Sequence, residues 1–211
     1  MSRRPHARKP SSQRWLQRQH RDPFVKQAQQ SDYRSRAVFK LIEIDEKDNL
    51  FRPGQLVVDL GAAPGSWSQY AVKKTGKQGR VIAVDILPMD NIKGVSFIQG
   101  DFREQEVLDA CLSALEGNRA DLVISDMAPN ISGIKSSDQT RSVYLAELAR
   151  DLALEVLKPG GDILVKLFQG EGVDEFRKSL KEHFPRIISR NPRASRESSR
   201  EFYLLGRDYR P

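Results

Sequence analysis

Short apolar runs rich in β-branched residues recur along the chain, and longer stretches of helical spacing separate them. Residues 55–60, 80–86, 95–99, 120–126 and 162–168 read as buried strands. The spacing predicts helices over 34–48, 66–75, 104–116, 140–157 and 172–184. In the first, Ala37, Val38, Leu41 and Ile44 share a face, and Ser31 or Asp32 is placed to cap its start. Trp67, Tyr70 and Ala71 point inward from the second, Val107, Leu108, Cys111, Leu112 and Leu115 from the third, and Tyr144, Leu148, Leu152 and Val156 from the fourth. Pro53-Gly54 marks a turn, Gly76 a helix C-cap, and Lys158-Pro-Gly-Gly161 the stop of the long helix. The polar stretch 131–139, with Gly133 and several serines, reads as a mobile loop. Two last strands, 186–190 and 201–206, are joined without a helix and predict an antiparallel edge. Strands alternating with helices make this an α/β chain, with a mostly parallel sheet covered on both faces.

A chain of 211 residues is one domain of ordinary size that buries a full core. Its single cysteine, Cys111, leaves no intramolecular disulfide and suits a reducing cytosol. The basic N-terminus has no apolar stretch behind it, so it is no secretory signal. No run approaches the ~18 apolar residues of a membrane span, and a cytoplasmic protein without membrane partners is expected. The net charge of +7 is uneven: residues 1–40 carry eleven Lys/Arg against two acids, and residues 186–211 seven against three. The middle, with seventeen against twenty-three, is acidic. Basic ends on an acidic body point to a polyanion, nucleic acid first. Residues 1–12 have no periodicity and read as a disordered tail. Over 14–40, Trp15, Leu16, Phe24, Val25, Tyr33 and Phe39 interleave with the cations, a mixture that stacks on bases as well as packs. The expected division is a basic, partly disordered RNA-binding arm over 1–33 and a domain over 34–211. Removal of 1–40 is then expected to abolish action on RNA and leave binding in the body nearly intact.

The chain is organised around Leu56-Val-Val-Asp-Leu-Gly-Ala-Ala-Pro-Gly-Ser-Trp67, a strand, a small-residue turn and a helix start. The turn lacks the third and sixth glycines of a dinucleotide loop, where Ala63 and Ser66 stand, and Pro64 offers no N–H to a pyrophosphate. A phosphate-free ligand fits better. In open α/β sheets the ligand sits beyond the carboxyl ends of the strands, which singles out Asp59 and Gly61, Asp85, Asp101 and Asp126. Four acids on one rim repel one another, so a ligand with hydroxyls, an amine and a positive centre is implied. Asp85 lies twenty residues after Gly65, the offset of a ribose-binding acid. Lys166 stands inside Ile-Leu-Val-Lys-Leu-Phe, where an unpaired ammonium is costly.

These segments carry a family resemblance. Asp-Leu-Gly-Ala-Ala-Pro-Gly-x-Trp-Ser-Gln (59–69), Leu-Pro-Met-Asp (87–90), Gln-Gly-Asp-Phe-Arg (99–103), Ser-Asp-Met-Ala-Pro-Asn (125–130), Lys-x-Phe-Gln-Gly-Glu-Gly (166–172) and Ser-Arg-Glu (199–201) closely resemble the FtsJ/RrmJ (RlmE-type) ribosomal RNA 2′-O-ribose methyltransferases. The resemblance covers roughly residues 14–207; Ser66 departs from the usual glycine. It implies a Rossmann-like methyltransferase sheet of seven strands, mostly parallel with an antiparallel last strand, and S-adenosylmethionine as methyl donor. Gly61, Ala62, Pro64, Gly65 and Trp67 are implied around the donor's amino-acid end, Asp85 at its ribose, Asp101 at its adenine amine, and Asp126 near the sulfonium. The implied catalytic set is Lys40, Asp126, Lys166 and Glu201, and the implied target a uridine ribose in the A-loop of large-subunit ribosomal RNA. A monomer acting on the large subunit or its precursor is expected.

A ribose 2′-hydroxyl is a poor nucleophile, whereas a sulfonium donor is already activated. Such an enzyme must chiefly position the acceptor and deal with its proton; a positioned base contributes about 10²–10⁴-fold. Lys166 is either that base or an ammonium that steers the hydroxyl lone pair. An amino-methyltransferase would carry an aromatic residue after Asp126-Met-Ala-Pro129, and a cytosine-C5 enzyme a Pro-Cys nucleophile; neither is present. The three histidines, His6, His20 and His183, have no metal-ligand spacing. Transfer-RNA 2′-O-methylation and a non-catalytic RNA-binding assembly factor remain the alternatives.

Overall fold

The computed structural model describes residues 22–196 and 199–211. The tail 1–12, Trp15 and Leu16 therefore lie outside the described residues. Seven strands form one sheet: β1 (Leu56–Leu60), β2 (Arg80–Asp85), β3 (Val95–Gln99), β4 (Ala120–Ser125), β5 (Leu157–Phe168), β6 (Arg186–Arg190) and β7 (Glu201–Arg207). Their order is β3-β2-β1-β4-β5-β7-β6, with β1 to β5 parallel and β7 antiparallel to both its neighbours. The final pair is antiparallel as expected, but β7 enters between β5 and β6, leaving β6 at the edge. Burial explains this order: Phe202–Gly206 is covered on both faces, as an interior strand requires, whereas β6 stays partly exposed.

Among the described residues six helices flank the sheet: α1 (Pro23–Gln30), α2 (Val38–Asp48), α3 (Ser66–Thr75), α4 (Gln105–Ala114), α5 (Lys135–Val156) and α6 (Val173–His183). Leu56, Val58 and Leu60 of β1 face the core shared with α4, α5 and α6, while Val57 faces the one shared with α2 and α3. This alternation decides where each strand-end side chain points.

Several elements differ from the sequence reading. Helix α2 starts at Val38, and Ser31 and Asp32 do not cap it; Ser35 Oγ accepts the Ala37 N–H (3.3 Å), while Ser31 closes α1. Helix α1 is itself additional. Pro23 occupies its first turn, Asp22 caps it through Phe24 N (3.0 Å), and the Phe24 ring packs tilted against Phe39 with centroids 5.6 Å apart. The stretch expected as a mobile loop is a hydrogen-bonded turn. Asp138, buried, accepts from Ser132 N (2.8 Å), Ser132 Oγ (2.7 Å) and Gly133 N (3.1 Å), and α5 begins at Lys135 rather than 140. Lys158-Pro-Gly-Gly161 does end the long helix, yet lies within β5, where the pairing with β4 shifts register after Ala120.

Candidate active site

Every element of the site stands at the carboxyl ends of the parallel strands. Sheet register brings the charged groups together: β5 and β7 pair Lys166 with Tyr203 and Phe168 with Glu201. Two-residue periodicity then puts Lys166, Tyr203 and Glu201 on the side of α2 and α3, the side that Leu164 and Leu205 also face. Helix α2 lowers Lys40 onto this group. Its Nζ lies 2.6 Å from Glu201 Oε1, both side chains being almost covered. Asp126, just past β4, receives Lys166 Nζ on Oδ1 at 3.0 Å and through its main-chain carbonyl, and Tyr203 donates its hydroxyl to the same Oδ1 at 2.6 Å. Two cations face two anions, so a neutral set is buried where any single charge would be costly.

The electrostatics of Asp126 are those of a held carboxylate. Burial alone would raise its pKa, but the Lys166 and Lys40 charges and the hydrogen bonds from Tyr203 and Lys166 outweigh it and hold the carboxyl below its ordinary range. Tyr203 moves the other way. Burial, then the Asp126 and Glu201 charges, push its phenol well above its ordinary value, so it remains a donor.

Asp126 also lines a cleft of about 550 Å³ with Gly61, Asp85, Asp101, Phe102 and Met127. Asp85 accepts Ala63 N on one oxygen (2.8 Å) and Leu87 N on the other (2.8 Å), so the main chain fixes its carboxylate at the cleft wall. Asp101 is paired with Arg103, whose hydrogen bonds pull its carboxyl below the ordinary value despite partial burial. Gly61 has φ +72°, and a Cβ there would come within 2.4 Å of Met127 Cγ, so this backbone must be bare.

Other sequence-selected residues stand elsewhere. Ala62 and Gly65 are buried behind the turn and Pro64 is exposed on it. Trp67 is buried in the core; its indole N–H donates to Ala37 O (2.9 Å) and its ring lies 5.8 Å from Tyr203. It does not line the cleft because the first turn of α3 faces α2. Asp59 is a correction to the rim of four acids. It shares the face of Val57 and is fully buried beneath the loop, accepting Ser68 Oγ on Oδ2 (2.6 Å) while Oδ1 has no hydrogen-bond partner. Burial, opposed by Ser68 and reinforced by the Asp126 and Asp85 charges, pushes its carboxyl up to about 7. Tyr203 escaped the sequence reading because its role depends on the β5–β7 register, and nothing in the local pattern marks it.

Known proteins share this sequence and fold. Ribosomal RNA large subunit methyltransferase E of Marinobacter nauticus is 58% identical over 204 residues, spanning 97% of this chain and 99% of that protein. The protein of the same name from Pseudomonas aeruginosa PAO1 is 56% identical over 204 residues, with 97% and 99% covered. A crystal structure from Plasmodium falciparum, described as a ribosomal RNA methyltransferase, superposes with a TM-score of 0.75 at 29% identity, covering 84% of this chain and 98% of that one. The FtsJ-like methyltransferase family matches residues 33–209, and the chain belongs to that family.

Proposed function

We propose that this chain transfers a methyl group from S-adenosylmethionine to the ribose 2′-hydroxyl of a uridine in the A-loop of large-subunit ribosomal RNA. One observation carries the reading: Asp126 lines the cleft and also accepts from Lys166 and Tyr203, so the donor pocket and the charged set share one residue. The names of the relatives supply the RNA class. The cleft suits the donor. Its volume is that of a cofactor-sized ligand, Asp85 is fixed to accept hydroxyls, Phe102 and Met127 offer apolar wall to a base, and Asp126 meets a positive centre. When bound, S-adenosylmethionine supplies a methyl group already activated by its sulfonium charge.

The protein's own task is then to hold the acceptor. Lys166 presents its nitrogen to the hydroxyl, Asp126, itself held by the Tyr203 hydroxyl, fixes that nitrogen, and the Lys40–Glu201 pair closes the same face. Orientation of this kind contributes on the order of 7–11 kcal/mol to such a reaction. The basic N-terminal segment supplies phosphate contacts, so RNA affinity falls steeply with salt. The test is labelled methyl transfer to large ribosomal subunits, free large-subunit RNA and transfer RNA, all from a strain lacking the gene. Label in large-subunit RNA is expected. Label in transfer RNA alone, or in no RNA while the particle still binds, would contradict the proposal.

A further inference from the structure

The segment entering α2 reaches two of the loops that supply Ala63, Ile86 and Leu87 to the wall of the cleft. Arg34, in the turn between α1 and α2, donates to three main-chain carbonyls: Nη1 to Pro64 (3.0 Å) and to Asp90 (2.8 Å), and Nη2 to Asn91 (3.0 Å). Pro64 lies in the turn after β1; Asp90 and Asn91 lie in the connection from β2 to β3. These two loops flank Asp85, which is itself tied to both, through Ala63 N and Leu87 N. Arg34 is in turn held from behind. Its own N–H donates to Gln69 Oε1 (2.9 Å), and Gln69 Nε2 donates to Asp32 O (3.1 Å). Gly65 permits the approach: a Cβ there would stand 2.6 Å from Ile92 Cδ1, 2.7 Å from Met89 Sδ and 3.0 Å from Arg34 Nη1.

We propose that Arg34 is a positioning residue for the methyl donor, a fork that ties the turn 61–65 to the connection 86–92 and so preorganises the two walls of the cleft. The inference rests on the cleft being the donor site. Its chemistry follows from the guanidinium, whose rigid planar donors span two loops at once; a lysine ammonium is a single point with rotatable donors and cannot. Loops already held in place pay less ordering cost when a ligand binds. The N-terminal segment thus completes the donor half of the site, and loss of residues 1–40 removes donor affinity along with RNA binding, contrary to the division expected from charge alone.

Arg34→Lys and Arg34→Gln in the full chain test this through three readouts. Calorimetric affinity for S-adenosylhomocysteine should fall about tenfold, about 1.4 kcal/mol. Amide exchange should quicken in 61–65 and 86–92 with β1 and β4 unchanged. The donor KM on RNA should rise while kcat at saturating donor holds. Unaltered affinity and exchange in Arg34→Gln, a loss confined to RNA affinity, or exchange that rises throughout the sheet would each overturn the positioning role. A wild-type protein that binds no S-adenosylhomocysteine sinks the reading of the cleft itself. A wild type that binds it, with both variants binding equally, sinks only the Arg34 fork.

Discussion

The buried Asp59 carboxyl makes the stability of this fold depend on pH in a way opposite to most aspartates. Its folded-state pKa is raised from an ordinary 3.8 to about 7, chiefly by burial. The folded chain therefore keeps a proton that the unfolded chain releases near pH 4, and stability is lost as pH rises through this window and is flat above it. From the two values, the loss between pH 4.5 and 8 is about 3 kcal/mol, with no discount for solvent because the group is fully covered. Asp59→Asn removes the titration. The new amide would lack a partner where Oδ1 now lacks one, which costs about 1–3 kcal/mol but equally at every pH. Urea unfolding of both proteins across this range, taken as a difference, cancels all other titrating groups. The wild-type advantage should shrink by about 3 kcal/mol on going from pH 4.5 to 8, with the variant gaining in relative terms. A difference that is constant with pH, or that grows, would mean that Asp59 is ionised in the folded chain and that the account of its burial is wrong.

Two further predictions concern the site. Gly61→Ala forces a side chain onto a backbone at φ +72° and against Met127, at a cost of about 1–2 kcal/mol for the left-handed conformation alone; donor affinity should fall about tenfold with RNA retention unchanged, read by calorimetry and filter binding. For Lys166→Arg, which keeps the charge but not a readily lost proton, the pH–rate profile separates two roles: turnover collapsing at all pH values fits Lys166 as base, and near-normal turnover would leave it only an orienting cation.

Much of the fold lies in local patterning. The five parallel strands, the long helix and the antiparallel pairing of the last two strands each follow from runs that one segment contains. What escaped depended on partners distant in the chain. Helix α1 is only eight residues long and is secured by Phe24 on Phe39 and by the Asp22–Arg36 ion pair, neither visible in its own period. Asp59 reads as part of the rim because the rest of β1 is apolar on both faces, and a strand with no polar side gives no sign of which way a residue near its end points. Lys166 could be singled out, since an ammonium in an apolar run is conspicuous. Its partner Tyr203 could not, because a tyrosine in an apolar strand is ordinary until β7 is paired with β5. Arg34 resembled any other cation of a basic arm, and its carbonyl partners are 30 to 57 positions away.

Asp126 is the residue that the cleft and the buried charged set share. It lines the cleft that we propose holds the donor and also takes Lys166 Nζ and the Tyr203 hydroxyl, beside the Lys40–Glu201 pair. The proposed transfer to a sugar oxygen is open to a direct assay. A ribose methylated at its 2′-oxygen cannot take part in alkaline cleavage of the neighbouring phosphodiester. Large-subunit RNA from a strain lacking the gene, treated with this protein and methyl-labelled donor and then hydrolysed in alkali, should release the label in an alkali-resistant dinucleotide containing 2′-O-methyluridine, and Asp126→Ala should release none. Label in an alkali-sensitive mononucleotide, carried on a base, would contradict the assignment.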